Sequence, residues 1–233
     1  MTSPITILVA CFAPSLAWLG YFGLRKKIDP EPLHLMLLVF AGGILAGPVS
    51  LILFKLIEAV PFYSYMDIID DIGETKKLAY CMGAIAPIEE ISKFLVFWFF
   101  VQRKHIEFKH PVDGLIYAAA ASLGFATIEN WYFMMAVDET VWSRAITLPF
   151  NHVLFASFWG VALGINRCKG SSSRLVVVGL LLAIVFHGLY DYILFSDLVP
   201  NLSVTPLILV LWLWLTLATR DLLTLSIDAP VQA

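Results

Sequence analysis

"LAYCMGAIAPIEEISKFLVFWFFV", residues 78–101, is apolar at both ends and carries Glu89, Glu90 and Lys93 between them. The run is long enough to cross a ~30 Å hydrocarbon core as a helix. Its apolar ends decide the fold, because a stretch of this kind belongs in lipid. Its charges raise the question of function, because an ionisable side chain inside a span costs roughly 2.5–3.5 kcal/mol on insertion scales.

Working outward, similar stretches recur at about 4–24, 33–59, 112–137, 145–166, 174–195 and 203–219. With 60% hydrophobic and 14% charged residues among 233, the chain lies outside what a soluble domain tolerates on its surface. The expected fold is all-α: a polytopic membrane protein of about seven transmembrane helices in one bundle. It forms a single domain over 1–233, with its core at about 78–195. The first span lacks a basic n-region, and Arg25, Lys26 and Lys27 follow it, so it reads as a retained helix and not a signal peptide. Ten loop lysines and arginines then fall on one side against Lys76, Lys77 and Arg144 on the other. The positive-inside rule therefore predicts the N-terminus outside, the C-terminus in the cytoplasm and a multi-pass place in the cell membrane.

That asymmetry accounts for the basic loops, and no nucleic-acid motif is present. Cys11, Cys81 and Cys168 form no CxxC pair, so neither a disulfide framework nor a thiolate metal site is indicated. The acidic connection at 61–77 is predicted outside, as a surface segment or a lid.

Further polar residues interrupt the neighbouring spans: Glu129 and Asn130, Asn151 and His152, His187 and Asp191. At ~1.5 Å rise per residue, Glu89 lies roughly 16 Å below the outer end of its span, and Glu129, His152 and His187 roughly 10–12 Å below theirs. Four consecutive antiparallel helices thus bring them to one layer, within reach of a water-filled cavity open to the outside. Side chains four apart share a helix face. His152 heads a stripe with Ala156, Gly160 and Gly164, and Gly179, Ala183, His187 and Asp191 form another, spacings that mark close helix contact in membranes. Gly83, Ala86, Glu90 and Lys93 are expected on one face, with Glu89 and Lys93 as an i,i+4 ion pair.

Histidines with carboxylates describe activation of water. Either a carboxylate base works with histidine support for the oxyanion, or a divalent metal lowers the pKa of the water. No HExxH motif is present, so metal ligands would come from separate helices. Two other classes use similar residues: a proton- or ion-coupled transporter, which would want polar groups on both sides of the midplane, and a non-catalytic scaffold held together by the polar cluster.

In combination and in this order, "EPLHLM" (31–36), "EEISK" (89–93), "DGLIYAAAASLGFATIEN" (113–130), "NH" (151–152) and "HGLYD" (187–191) resemble the PrsW family of intramembrane proteases. That family belongs to a superfamily with the type II CAAX prenyl endopeptidases and the APH-1 subunit of gamma-secretase. The resemblance covers roughly residues 25–195. It implies a protease acting on a membrane-anchored protein substrate within the lipid bilayer, near the outer face. The site-1 cut of an anti-sigma factor in a stress response is the implied role, and an APH-1-like scaffold is the non-catalytic alternative. Lys93 stands one residue before the position where the prenyl enzymes place an arginine. Glu129 falls where they place a histidine, and His187 with Asp191 matches their His-xxx-Asn. His152 matches the PrsW pattern alone. The added acids strengthen the case for a metal and weaken it for prenylated substrates.

The candidate catalytic residues are therefore Glu89, Glu90, Glu129, His152 and His187, with Glu89 as the expected base. Lys93, Asn130 and Asp191 are supporting residues. Glu129, His152 and His187 are candidate ligands for a divalent metal such as zinc, with a metal-free glutamate mechanism as the alternative.

Overall fold

A computed structural model describes residues 3–25, 30–60, 73–102, 108–138 and 140–228. Most of the 61–77 segment therefore lies outside the described residues. Every long element is a helix: α1 (Pro4–Arg25), α2 (Leu33–Ile57), α3 (Glu74–Tyr80), α4 (Ala86–Gln102), α5 (Pro111–Val137), α6 (Trp142–Lys169), α7 (Ser173–Phe195) and α8 (Val204–Asp228). Six of these, α1, α2 and α5 to α8, are each long and apolar enough to cross a membrane. The stretch 78–101, expected as a further span, is composite: the end of α3 runs into α4 through a π-helical turn at Cys81–Ile85.

That wider turn has a local cause. Pro87 has no N–H and its ring crowds the carbonyl four residues back, so an unbroken α-helix through Gly83–Pro87 is disfavoured. A π turn takes up the misfit one turn before Glu89, the kind of place where such turns concentrate. It also rotates what precedes it. Gly83 is exposed while Ala86, Glu90 and Lys93 are buried, so the four do not share the single face expected of a regular helix.

Two helices form the centre. The spanning windows of α5 and α6 are 94% and 89% buried, against 22–44% for those of α1, α2, α7 and α8, which form the sheath. Small residues set the central spacing. A Cβ on Gly164 would stand 1.9 Å from the Pro111 carbonyl oxygen, and one on Gly114 would stand 2.4 Å from that of Gly160. The His152–Gly164 stripe of α6 therefore lies against α5. Gly179 of α7 approaches Phe158 of α6 in the same way, as the spacing of its own stripe predicts. On the far side, Gly43 of α2 and Gly124 of α5 each leave no room for a Cβ beside the other helix's backbone.

The helix ends show why the chain turns where it does. Asp113 accepts the backbone N–H groups of Lys109 and His110 at the start of α5, with Pro111 in the first turn, where a missing N–H costs nothing. The α6 helix ends at Gly170 with φ 63°, a left-handed cap that glycine adopts without strain. At the opposite end of the bundle, Glu74 accepts from the Ser196 and Tyr192 hydroxyls and from the Asp197 N–H. Lys77, its side chain buried, bonds Asp197 at 2.6 Å. This cluster ties the start of the composite span to the end of α7, so the two elements carrying Glu89 and His187 keep a fixed register.

Candidate active site

Glu90 is the most tightly held of the site residues. It is wholly buried, and its Oε1 accepts from Lys93 Nζ at 2.7 Å and from His187 Nδ1 at 2.9 Å. Its Oε2 accepts from the Trp159 indole at 3.1 Å. Three donors from α4, α6 and α7 thus converge on one carboxylate. The ion pair of the composite span is Glu90–Lys93, three residues apart. Glu89 Oε2 stands 3.9 Å from Lys93, so the i,i+4 contact is the longer one.

Lys93 continues the network. Its Nζ lies 2.8 Å from His152 Nδ1 and 4.5 Å from the centroid of the Phe125 ring. A lysine ammonium has donors only, so His152 Nδ1 accepts and the ring's proton sits on Nε2, 2.7 Å from Glu129 Oε2. The other Glu129 oxygen accepts from Arg144 at 2.6 Å.

The tautomer of His187 follows from the same logic. In the neutral ring, Nδ1–H donates to Glu90 and Nε2 presents a lone pair. Facing it are Asp191 Oδ2 at 3.4 Å and Glu89 Oε2 at 3.7 Å, two buried oxygens without hydrogen-bond partners among the described residues. Phe155 stacks on the imidazole with centroids 4.7 Å apart, and the His152 ring lies 5.2 Å away. Three acceptors facing one another form an arrangement that a cation completes. The potential ligand atoms of Glu89, His152 and His187 lie within 4.8 Å of one another, but both nitrogens of His152 are engaged, Nδ1 by Lys93 and Nε2 by Glu129, so His152 binds a metal only by giving up one of them. His187 Nε2 with the unpartnered Asp191 and Glu89 oxygens therefore fits a divalent metal, with Glu90 placed to fix the imidazole, as carboxylates beyond the ligands of histidine metal sites do. The set differs from Glu129, His152 and His187: the acid that groups with the histidines is Glu89, while Glu129 spends its oxygens on His152 and Arg144.

The site opens on a cavity of about 230 Å³ whose wall includes Glu89, Phe125, Glu129, Phe133, Arg144 and Ser50. A larger aromatic groove of about 460 Å³ between α1, α6 and α8 touches none of the site residues. The structure thus brings Glu89, Glu90, Glu129, His152, His187, Lys93 and Asp191 into one cluster. Asn130 is buried beside it in sequence, yet no hydrogen bond ties its amide to the site among the described residues. Asn151 donates to the Tyr190 hydroxyl. Two members went unread in the sequence, Trp159 and Arg144. A signal existed for Trp159: it lies seven residues after His152, on nearly the same face, and a buried indole N–H needs an acceptor.

A bundle of membrane helices with an acid–histidine centre held among α4 to α7 defines a class, membrane proteins with a polar cluster below the lipid surface. The model of the PrsW family of intramembrane metalloproteases matches residues 31–218. Protease PrsW of Geobacillus kaustophilus (strain HTA426) is 32% identical over 82% of this chain and 80% of its own. The protein of that name from Oceanobacillus iheyensis is 31% identical over 90% and 92%, and that from Bacillus subtilis (strain 168) 29% identical over 81% and 82%. No solved structure matches the chain. The chain belongs to the PrsW family of intramembrane proteases, multi-pass proteins of the bacterial cell membrane.

Proposed function

We propose that the protein hydrolyses a peptide bond of a membrane-anchored substrate, with Glu89 as the reactive carboxylate. One observation carries this assignment: of two adjacent glutamates, Glu90 is saturated by three donors, whereas Glu89 Oε2 has none and its side chain lines the cavity. A carboxylate that acts as a base must have an oxygen free to take a proton. Water in the cavity gives its proton to Glu89 as its oxygen attacks the scissile carbonyl carbon. The same proton passes to the departing amine as the tetrahedral intermediate collapses, so Glu89 ends as it began. Glu90 holds His187 and Lys93 in place, Lys93 and Glu129 hold His152, and Asp191 borders His187. A divalent metal such as zinc, held by His187 and Asp191, with His152 joining once it gives up Lys93 or Glu129, would supply Lewis-acid polarisation and a more acidic water when bound, leaving a Glu89 oxygen free as the base. Metal or no metal, Glu89 is the carboxylate at the reacting position.

The lysine and arginine asymmetry of the loop sequences supports a cavity in the outer half of the membrane. A first cut near the outer face of a single-span anti-sigma factor suits that location. The test is Glu89→Gln, which should abolish cleavage of a co-expressed single-span substrate at unchanged membrane abundance; persisting cleavage removes the assignment. Elemental analysis of the purified protein and of His187→Ala separates the two routes, since stoichiometric metal lost in the variant supports the metal route and its absence in both the metal-free one.

A further inference from the structure

One residue of the cavity wall has more donors than the acid–histidine cluster uses. Arg144 lies in the first turn of α6, where the helix dipole disfavours a cation, and no acidic residue of that turn offsets it. Its guanidinium is fixed on two sides, by Glu129 Oε1 at 2.6 Å and by the Phe133 ring, whose centroid is 4.3 Å from its central carbon. Its Nε–H is buried without an acceptor among the described residues. Among the cavity-lining residues Arg144 is the one cation. Lys93, the nearest other positive charge, is fully buried and committed to Glu90 and His152.

We propose that Arg144 is the substrate-binding residue of the cavity, donating to a backbone carbonyl of the entering membrane-anchored peptide so that the scissile bond lies against Glu89. Three features support a carbonyl as the ligand. A peptide drawn into the site leaves its own carbonyls without water, and a buried acceptor without a donor is costly. A guanidinium has five N–H donors in a rigid fork, so it can keep Glu129 and still serve a second acceptor. Glu89 and Glu129 on the same wall repel an acidic side chain but not a neutral carbonyl. This assignment rests on Glu89 as the reactive carboxylate.

The probe is a single-span reporter carrying the sequence around whichever cut disappears from membranes of Glu89→Gln cells. Its cleavage is followed in micelles with purified wild type, Arg144→Gln and Arg144→Lys. Both variants should raise KM about ten- to hundredfold, the size of one charge-assisted hydrogen bond, with kcat within about threefold of wild type. If Arg144 only neutralises Glu129, kcat falls in Arg144→Gln, KM stays, and Arg144→Lys restores the rate; that pattern overturns the proposal. Should Arg144→Gln fail to fold, Arg144→Lys alone decides, through KM. Absence of any Glu89-dependent cut removes the reading of the site and this proposal with it. A Glu89-dependent cut indifferent to both Arg144 variants removes this proposal alone.

Discussion

Glu89→Gln and Glu90→Gln, one atom each in adjacent residues, should part company in stability. Glu90 Oε1 takes hydrogen bonds from Lys93 and His187, and Oε2 takes one from Trp159. An amide has a single acceptor oxygen. Whichever way it turns, its NH2 meets an N–H donor, and the buried Lys93 ammonium loses the counter-charge at 2.7 Å, keeping among the described residues only Glu89 at 3.9 Å. Removing one partner of a buried ion pair costs about 3–5 kcal/mol, a large share of the ~5–15 kcal/mol that holds a typical domain together. Glu89 Oε2 gives up no hydrogen bond on substitution, only contacts at 3.7 and 3.9 Å, so Glu89→Gln should cost under about 1 kcal/mol. The assay is unfolding of the purified proteins in mixed micelles, with membrane abundance alongside. Glu90→Gln should lose most of its abundance and a large part of its unfolding free energy, and Glu89→Gln neither. Equal stability of the two variants, or the reverse order, would refute the assignment of Glu90 as the clamp.

Other outcomes follow from the same contacts. Trp159→Phe strips one donor from a buried carboxylate and should cost about 1.5–3 kcal/mol in the same unfolding assay. Gly164→Ala sets a methyl against the Pro111 carbonyl and should cost about 1–3 kcal/mol while lowering cleavage, since parting α5 from α6 stretches the Glu129–His152 contact of 2.7 Å. Outside the apolar spans, the Ser196 hydroxyl, with the Asp197 N–H and the Tyr192 hydroxyl, holds Glu74 below its ordinary pKa of 4.5. A depressed folded-state pKa gives stability that is complete above about 4.5 and is lost as pH falls through the folded value. Thermal unfolding between neutral and acid pH should therefore show a decline in wild type that Glu74→Gln makes shallower.

The bundle was legible because lipid imposes its rule on every residue of a span: apolar length and small-residue spacing need no partner to be read. The layer of polar residues was legible for the same reason, since depth follows from counting along each helix. What depended on rotation and on partners was not. The π turn before Glu89 takes Gly83 off the face of Glu90, and a regular period cannot foresee it. Glu89 and Glu90 look alike in sequence, and only the donors arriving from Trp159 and His187 on other helices tell the clamp from the free acid. Glu129 had the depth of a metal ligand but is engaged by Arg144, a residue that loop counting treats as a topological charge.

Cleavage of a single-span reporter by wild type and Glu89→Gln, at matched membrane abundance, tests the central claim most directly. The structure predicts loss of the cut fragment in the variant with the folded protein still present. A fragment that persists at the wild-type level would contradict the assignment of Glu89 as the reactive carboxylate.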